Sequence, residues 1–88
     1  MNIERDIIIS VVYAMKHFPA NFPLERIIGI IEEVFAGETY LAMESLCSNI
    51  DDYEIPITEE DYKRISILAQ SINLPNENLI LIKQHVKK

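Results

Sequence analysis

Between Ile27 and Tyr62 the chain has no lysine, arginine or histidine. Ten of those 36 residues are acidic: Glu32, Glu33, Glu38, Glu44, Asp51, Asp52, Glu54, Glu59, Glu60 and Asp61. The flanks hold eight basic and four acidic residues, so they sum to +4 against −10 in the middle. The formal charge of −6 is therefore polarised along the chain. Crowded like charges oppose folding by self-repulsion, and a strongly basic partner is one physical reason to keep them. The same excess makes nucleic acid and anionic membrane poor partners, since an acidic protein releases no counterions from either.

Other scarcities exclude further classes. Cys47 is the only cysteine. It rules out an intramolecular disulfide framework and suits a reducing cytosol, so a cytoplasmic location is expected. Two glycines cannot build a phosphate-cradling loop or a dinucleotide fingerprint. Glycine and proline together make six residues, too few for a low-complexity segment. The two histidines, His17 and His85, lie near expected helix ends, where a surface residue stabilised by the helix dipole is the plain expectation. No zinc spacing and no convergent acid, base or nucleophile is visible, so neither enzyme activity nor a metal or cofactor is expected. The opening Met-Asn-Ile-Glu-Arg-Asp has no basic region ahead of an apolar run, so no secretory signal is expected. Ile7–Met15, interrupted by Ser10 and flanked by Asp6 and Lys16, falls far short of the roughly 20 apolar residues that span a bilayer.

What remains is helical. The chain has 88 residues, 49% of them hydrophobic, enough for one small domain with one modest core. Ile3, Ile7, Val11, Ala14, Met15 and Phe18 form a first stripe at helical spacing, stopped at Phe18-Pro19. Asn21 is the expected N-cap of a second helix, with Pro23 in its first turn and Leu24, Ile27, Ile28, Ile31, Val34 and Phe35 as its stripe. Gly37 closes it as a C-cap glycine. A third helix runs from about Glu38 to about Ile50, with Ala42, Met43, Leu46, Cys47 and Ile50 facing inward. Residues 51–57 read as a loop or short extended piece. Thr58-Glu59-Glu60-Asp61 reads as a capping box opening a fourth helix with Tyr62, Ile65, Leu68, Ala69 and Ile72 inward. Leu79, Ile82 and Val86 mark a last short helix, with Lys83, His85, Lys87 and Lys88 near its end. The expected fold is all-α, a compact single-domain bundle of four to five short helices over residues 1–88.

Two motifs match only in part. Asn49 to Glu60 has the length of a calcium loop, but Tyr53 takes the fifth place, Glu54 the sixth where glycine turns the chain, and Pro56 the eighth. Glu44-Ser45-Leu46 echoes the Asp-Ser-Leu of acyl carrier proteins, but Ser45 falls inside a helix instead of opening one. Cys47 on an inward face reads as a small core residue.

The acidic run is the strongest signal. Glu59, Glu60 and Asp61 suit a first helical turn on dipole grounds alone, and Glu32, Glu33 and Glu44 suit solvated faces. Asp51-Asp52-Tyr53-Glu54, read as non-helical, has no such explanation, and carboxylates around an aromatic are the composition of an interface. The expected contact surface is therefore Asp51, Asp52, Tyr53, Glu54, Glu59, Glu60 and Asp61, with Glu33, Glu38 and Glu44 as outer members.

The segment from Glu44 through Thr58, followed by Tyr62, Ile65 and Leu68, resembles small bacterial immunity proteins. Their pattern is an acidic residue, Leu, Cys, Asn, an apolar residue, an acidic run, an apolar residue, Pro, Ile and a Ser or Thr cap. The nearest group is the MafI-like one, similar to the immunity proteins of contact-dependent growth inhibition. The resemblance covers about residues 25 to 75. It implies a non-catalytic cytosolic protein that binds and neutralises one cognate polymorphic toxin domain. That toxin would be a basic nuclease, an RNase or tRNase in preference to a DNase. The runner-up is a small acidic helical adaptor or regulatory module with a basic protein partner. Surplus leucine and isoleucine on the first two helices leave monomer and homodimer both open.

Overall fold

In a computed structural model describing residues 2–87, the chain forms five helices: α1 (Ile3–Met15), α2 (Leu24–Phe35), α3 (Thr39–Asp52), α4 (Glu59–Ser71) and α5 (Asn76–Lys83). Met1, Lys88 and the side chain of Met15 lie outside the described part, and with them the expected inward place of Met15 and the expected C-terminal place of Lys88.

α3 is the central element, packed against α1, α2 and α5, while α4 closes the far side against α1. Its inward residues are those expected: Ala42, Met43, Leu46, Cys47 and Ile50 are all fully buried. They meet Ile7, Val11 and Ala14 from α1, Ile27, Ile30 and Val34 from α2, Ile65, Leu68 and Ala69 from α4, and Leu79 and Ile82 from α5. The Cα radius of gyration of 11.7 Å matches the ~12 Å expected of a compact domain this long.

α2 is rotated from its expected phase. Ile27, Ile30 and Val34 are buried, whereas Leu24, Ile28 and Phe35 are 60%, 48% and 76% exposed. The doublets Ile27-Ile28 and Ile30-Ile31 make two neighbouring stripes equally apolar, and packing against α3 selects between them. Asn21 does not cap this helix. Pro23 takes the N-cap position in extended backbone, with no side-chain cap, and its carbonyl accepts from Arg26 N–H at 3.1 Å. α1 has the side-chain cap instead, Asn2 Oδ1 accepting from Arg5 N–H at 2.9 Å.

Three helices end in one device. After α2, α3 and α4 a residue of positive φ turns the chain: Gly37 at 80°, Glu54 at 49° and Asn73 at 59°. In each case two backbone bonds close the helix end, such as Glu38 N–H to Glu33 O at 2.8 Å and Ile55 N–H to Ile50 O at 2.9 Å. Glycine and asparagine adopt this conformation readily and glutamate does not. Glu54→Gly is therefore expected to raise unfolding free energy by about 0.5–1 kcal/mol, read from the urea midpoint.

The piece after α3 is partly extended. Ile57 forms an isolated parallel bridge with Val86: Ile57 N–H donates to His85 O at 3.0 Å and Lys87 N–H to Ile57 O at 2.8 Å. Val86, expected in the last helix, thus lies beyond it.

Candidate functional site

Contacts between helix ends gather five termini at one end of the bundle: the C-terminal ends of α1, α3 and α5 and the N-terminal ends of α2 and α4. This end was expected to be the acidic surface. Asp51 and Asp52 prove not to be loop residues, since α3 continues through both. The last turn of a helix disfavours anions, so each asks for compensation. Asp51 receives it. Its Oδ1 lies 3.0 Å from His85 Nε2 and accepts from Gln84 Nε2 at 3.1 Å. Asp52 is exposed and has no ion pair among the described residues.

Tyr53 is half-buried. Its ring meets Phe22 edge-on at 4.7 Å, Phe22 stacks on Phe18 at 4.5 Å, and the Arg26 guanidinium lies 5.5 Å above the Tyr53 ring. It is part of an aromatic cluster that fastens the α1–α2 loop to the end of α3. Glu54 beside it is exposed.

Asp61 points inward and is only 5% exposed. It completes the expected capping box: Thr58 Oγ1 accepts from Asp61 N–H at 3.0 Å and Asp61 Oδ2 accepts from Thr58 N–H at 3.1 Å. Arg64 Nη1 donates to Asp61 Oδ1 at 3.2 Å, and His17 Nε2 is 3.6 Å from Oδ2. Lys87 Nζ lies 3.2 Å from His17 Nδ1. Asp61 is thus taken up by the fold and withdrawn from the expected contact surface.

Both histidines are corrections too. Expected as surface residues at helix ends, they are largely covered and each is set against an aspartate of the acidic segment. One counted cation of the flanks, Arg64, returns to the acidic middle at Asp61, and the two histidines are set against Asp51 and Asp61 at the same end.

The carboxylates left over lie mostly elsewhere. Glu59 and Glu60 are exposed in the first turn of α4. Glu32, Glu33, Glu38 and Glu44 belong to α2, α3 and the turn between them, with Glu32 and Glu38 exposed and Glu33 and Glu44 partly so. Glu33 Oε1 accepts from Ser45 Oγ at 3.0 Å. That serine sits mid-helix, away from the helix-opening position a carrier protein needs. Asn49, the first residue of the weak calcium-loop match, is a buried α3 residue whose Nδ2 donates to Ser45 O at 2.7 Å. Missed at the sequence level was Arg26, one residue outside the base-free run and folded back over it: its Nη1 donates to Asn49 Oδ1 at 3.4 Å. Helical spacing puts residues 26, 29 and 33 on one stripe, and that signal was available.

Cys47 is fully buried, and desolvation with the nearby Glu44 charge pushes its thiol from the ordinary 9.0 up to about 12. A neutral thiol is a poor nucleophile. Native protein at pH 8 is expected to resist a thiol-specific reagent and to react fully once unfolded in urea. The sign of the shift further requires stability to fall as pH rises above about 9, where only the unfolded thiol ionises.

Among the described residues no group of three or more His, Cys, Asp or Glu is placed to hold a metal, and no helix is long and apolar enough to cross a membrane. Comparison of the chain with protein-family models, curated proteins and solved structures finds no match.

Proposed function

We propose that this chain is an immunity-type protein: it binds a basic toxin domain, a nuclease in the first instance, and neutralises it through its acidic surface. The observation that carries this reading is the acid left exposed after the fold has paired Asp51 and Asp61 internally. Glu32, Glu38, Asp52, Glu54, Glu59 and Glu60 are all exposed, and none has an ion pair among the described residues. A nuclease must hold phosphates with lysine and arginine, so its cleft is positive. An acidic surface of fixed shape is drawn to such a cleft and steers association to as much as 10⁸–10⁹ M⁻¹s⁻¹ at low salt. The resemblance of residues 44–68 to immunity proteins points the same way.

Asp51 and Asp61 drop out of the expected contact surface, Tyr53 is packed in the aromatic cluster, and exposed Glu32 is added. Asp51 and Asp61 serve the fold, and reversing either breaks a contact within it. A charge-reversal test of the loop therefore uses Asp52 and Glu54.

The experiment is a pull-down of the product of the adjacent gene by the purified chain, at low and at high salt. Retention of one basic toxin domain, weakening as salt rises, is the expected result. Retention of a salt-indifferent partner with no toxic activity favours the adaptor reading.

A further inference from the structure

α2 carries two apolar stripes, and the fold uses only one. Ile27, Ile30 and Val34 are buried. Leu24, Ile28, Ile31 and Phe35 form the other at i, i+4, i+7 and i+11, the spacing of a helix–helix seam. On α1, Val12 stands one turn beyond the half-buried Ile8, and a shallow pocket of about 330 Å³ brings Ile8 and Ile9 against Val34 and Phe35. The outer face of α1 and α2 is thus one apolar surface, and Val12, Leu24, Ile28 and Phe35 are each between 48% and 76% exposed.

Single exposed apolar residues are ordinary on a protein surface, whereas a contiguous set at seam spacing marks an interface. With roughly 150–250 Å² for a whole aromatic side chain and somewhat less for an aliphatic one, these four leave roughly 400–500 Å² of apolar surface to water. Homodimer interfaces are about 65% apolar, so such a patch implies roughly 700 Å² per partner and about 1,400 Å² in all. That falls inside the range of about 1,200–2,000 Å² for a specific interface.

The spacing also suits a copy of itself. A two-fold interface needs the same patch on both sides, residue i meeting j while j meets i. The intervals 4, 3 and 4 of the stripe read the same in either direction. An antiparallel α2 from a second copy therefore sets Leu24 against Phe35 and Ile28 against Ile31, twice over. Glu25 and Glu32 are both exposed and line one margin of the seam. In the antiparallel pair Glu25 of one copy approaches Glu32 of the other, a like-charge contact that salt screens.

We propose that the α1–α2 face is the interface of a homodimer, two antiparallel α2 helices packed about a two-fold axis between Ile28 and Ile31. The pairing is separate from capture of a basic domain, and salt distinguishes the two: it weakens that capture and tightens the dimer.

The test is sedimentation velocity of the full chain over roughly 1–500 μM, where an interface at the small end of the specific range is populated. Mass rising from one chain to two, at lower concentration in high salt, is expected. Ile28→Gln/Phe35→Gln should weaken association at least about a hundredfold. Its urea midpoint at high dilution should match the wild type, since both residues are exposed. Glu25→Lys makes the marginal contact attractive on both sides of the axis and should tighten association at least about threefold at low salt. Amide shifts of the isotope-labelled wild-type chain on dilution should centre on Ile8, Val12 and residues 24–35. A chain monomeric at every concentration, undiminished association in Ile28→Gln/Phe35→Gln, or dilution shifts centred elsewhere overturns the pairing, and none of these results touches capture of a basic domain.

Discussion

Replacing Leu46 by alanine is expected to lower the unfolding free energy by about 3 kcal/mol, within the 2–5 kcal/mol that buried leucines lose on truncation. Leu46 is fully buried in the middle of the one helix that touches α1, α2 and α5, so no single neighbour can move in to fill the space. A domain of 88 residues has about 4–13 kcal/mol of stability in all, which makes this a large fraction of it. Leu41 supplies the control within the same helix. It is 45% exposed, and Leu41→Ala should change stability by under about 1 kcal/mol. Urea unfolding of both variants checks the rotation of α3. Equal losses would mean that the helix does not sit as described.

Asp61→Ala is expected to cost about 2–3 kcal/mol, combining the loss of a helix cap with the loss of charge-assisted hydrogen bonds at a buried position. The substitution strands Thr58 N–H, leaves Arg64 without its carboxylate and removes the group that faces His17. Asp61→Asn keeps an acceptor for Thr58 N–H and should recover roughly half of the loss. Glu59→Ala and Glu60→Ala, both exposed in the same helical turn, should each cost about 0.3–1 kcal/mol through the dipole alone. Three adjacent carboxylates thus separate into one that holds the fold and two that are free to meet a partner. Chemical denaturation of the four variants checks this, and equal effects across the turn would contradict it.

Much of the architecture could be read before any coordinates. The helix count, the inward face of α3, the buried cysteine, the glycine closing α2 and the capping box at Thr58 all follow from local spacing and chemistry, and all stand in the structure. The misreadings share one cause, that the deciding contact is distant in sequence. The phase of α2 is set by packing on α3, because its isoleucine doublets leave two stripes equally apolar. Asp51 and Asp52 looked like loop because helix ends disfavour anions, and the compensating partner of Asp51, His85, is 34 residues away. Asp61 looked like surface because a capping box is usually solvated. Here His17, 44 residues earlier, folds over it.

The candidate surface was legible in composition and less so in place. The uncompensated acid of residues 27–62 is plain from the sequence, but which carboxylates remain uncompensated depends on where the basic flanks return. Arg64 and the two histidines return to one end of the bundle, at Asp61 and Asp51, and leave Glu32, Glu38, Asp52, Glu54, Glu59 and Glu60 exposed with no ion pair among the described residues.

The most direct measurement is the dissociation constant of the captured basic domain for the double variant Asp52→Lys/Glu54→Lys, beside the wild-type chain. Both positions are exposed and neither makes an ion pair among the described residues, so the fold should be indifferent to the change. Affinity weakened at least about a hundredfold, equal to about 2.8 kcal/mol, with an unchanged urea midpoint, is the predicted result. Unchanged affinity would contradict the claim that the surviving acidic face is what the partner binds.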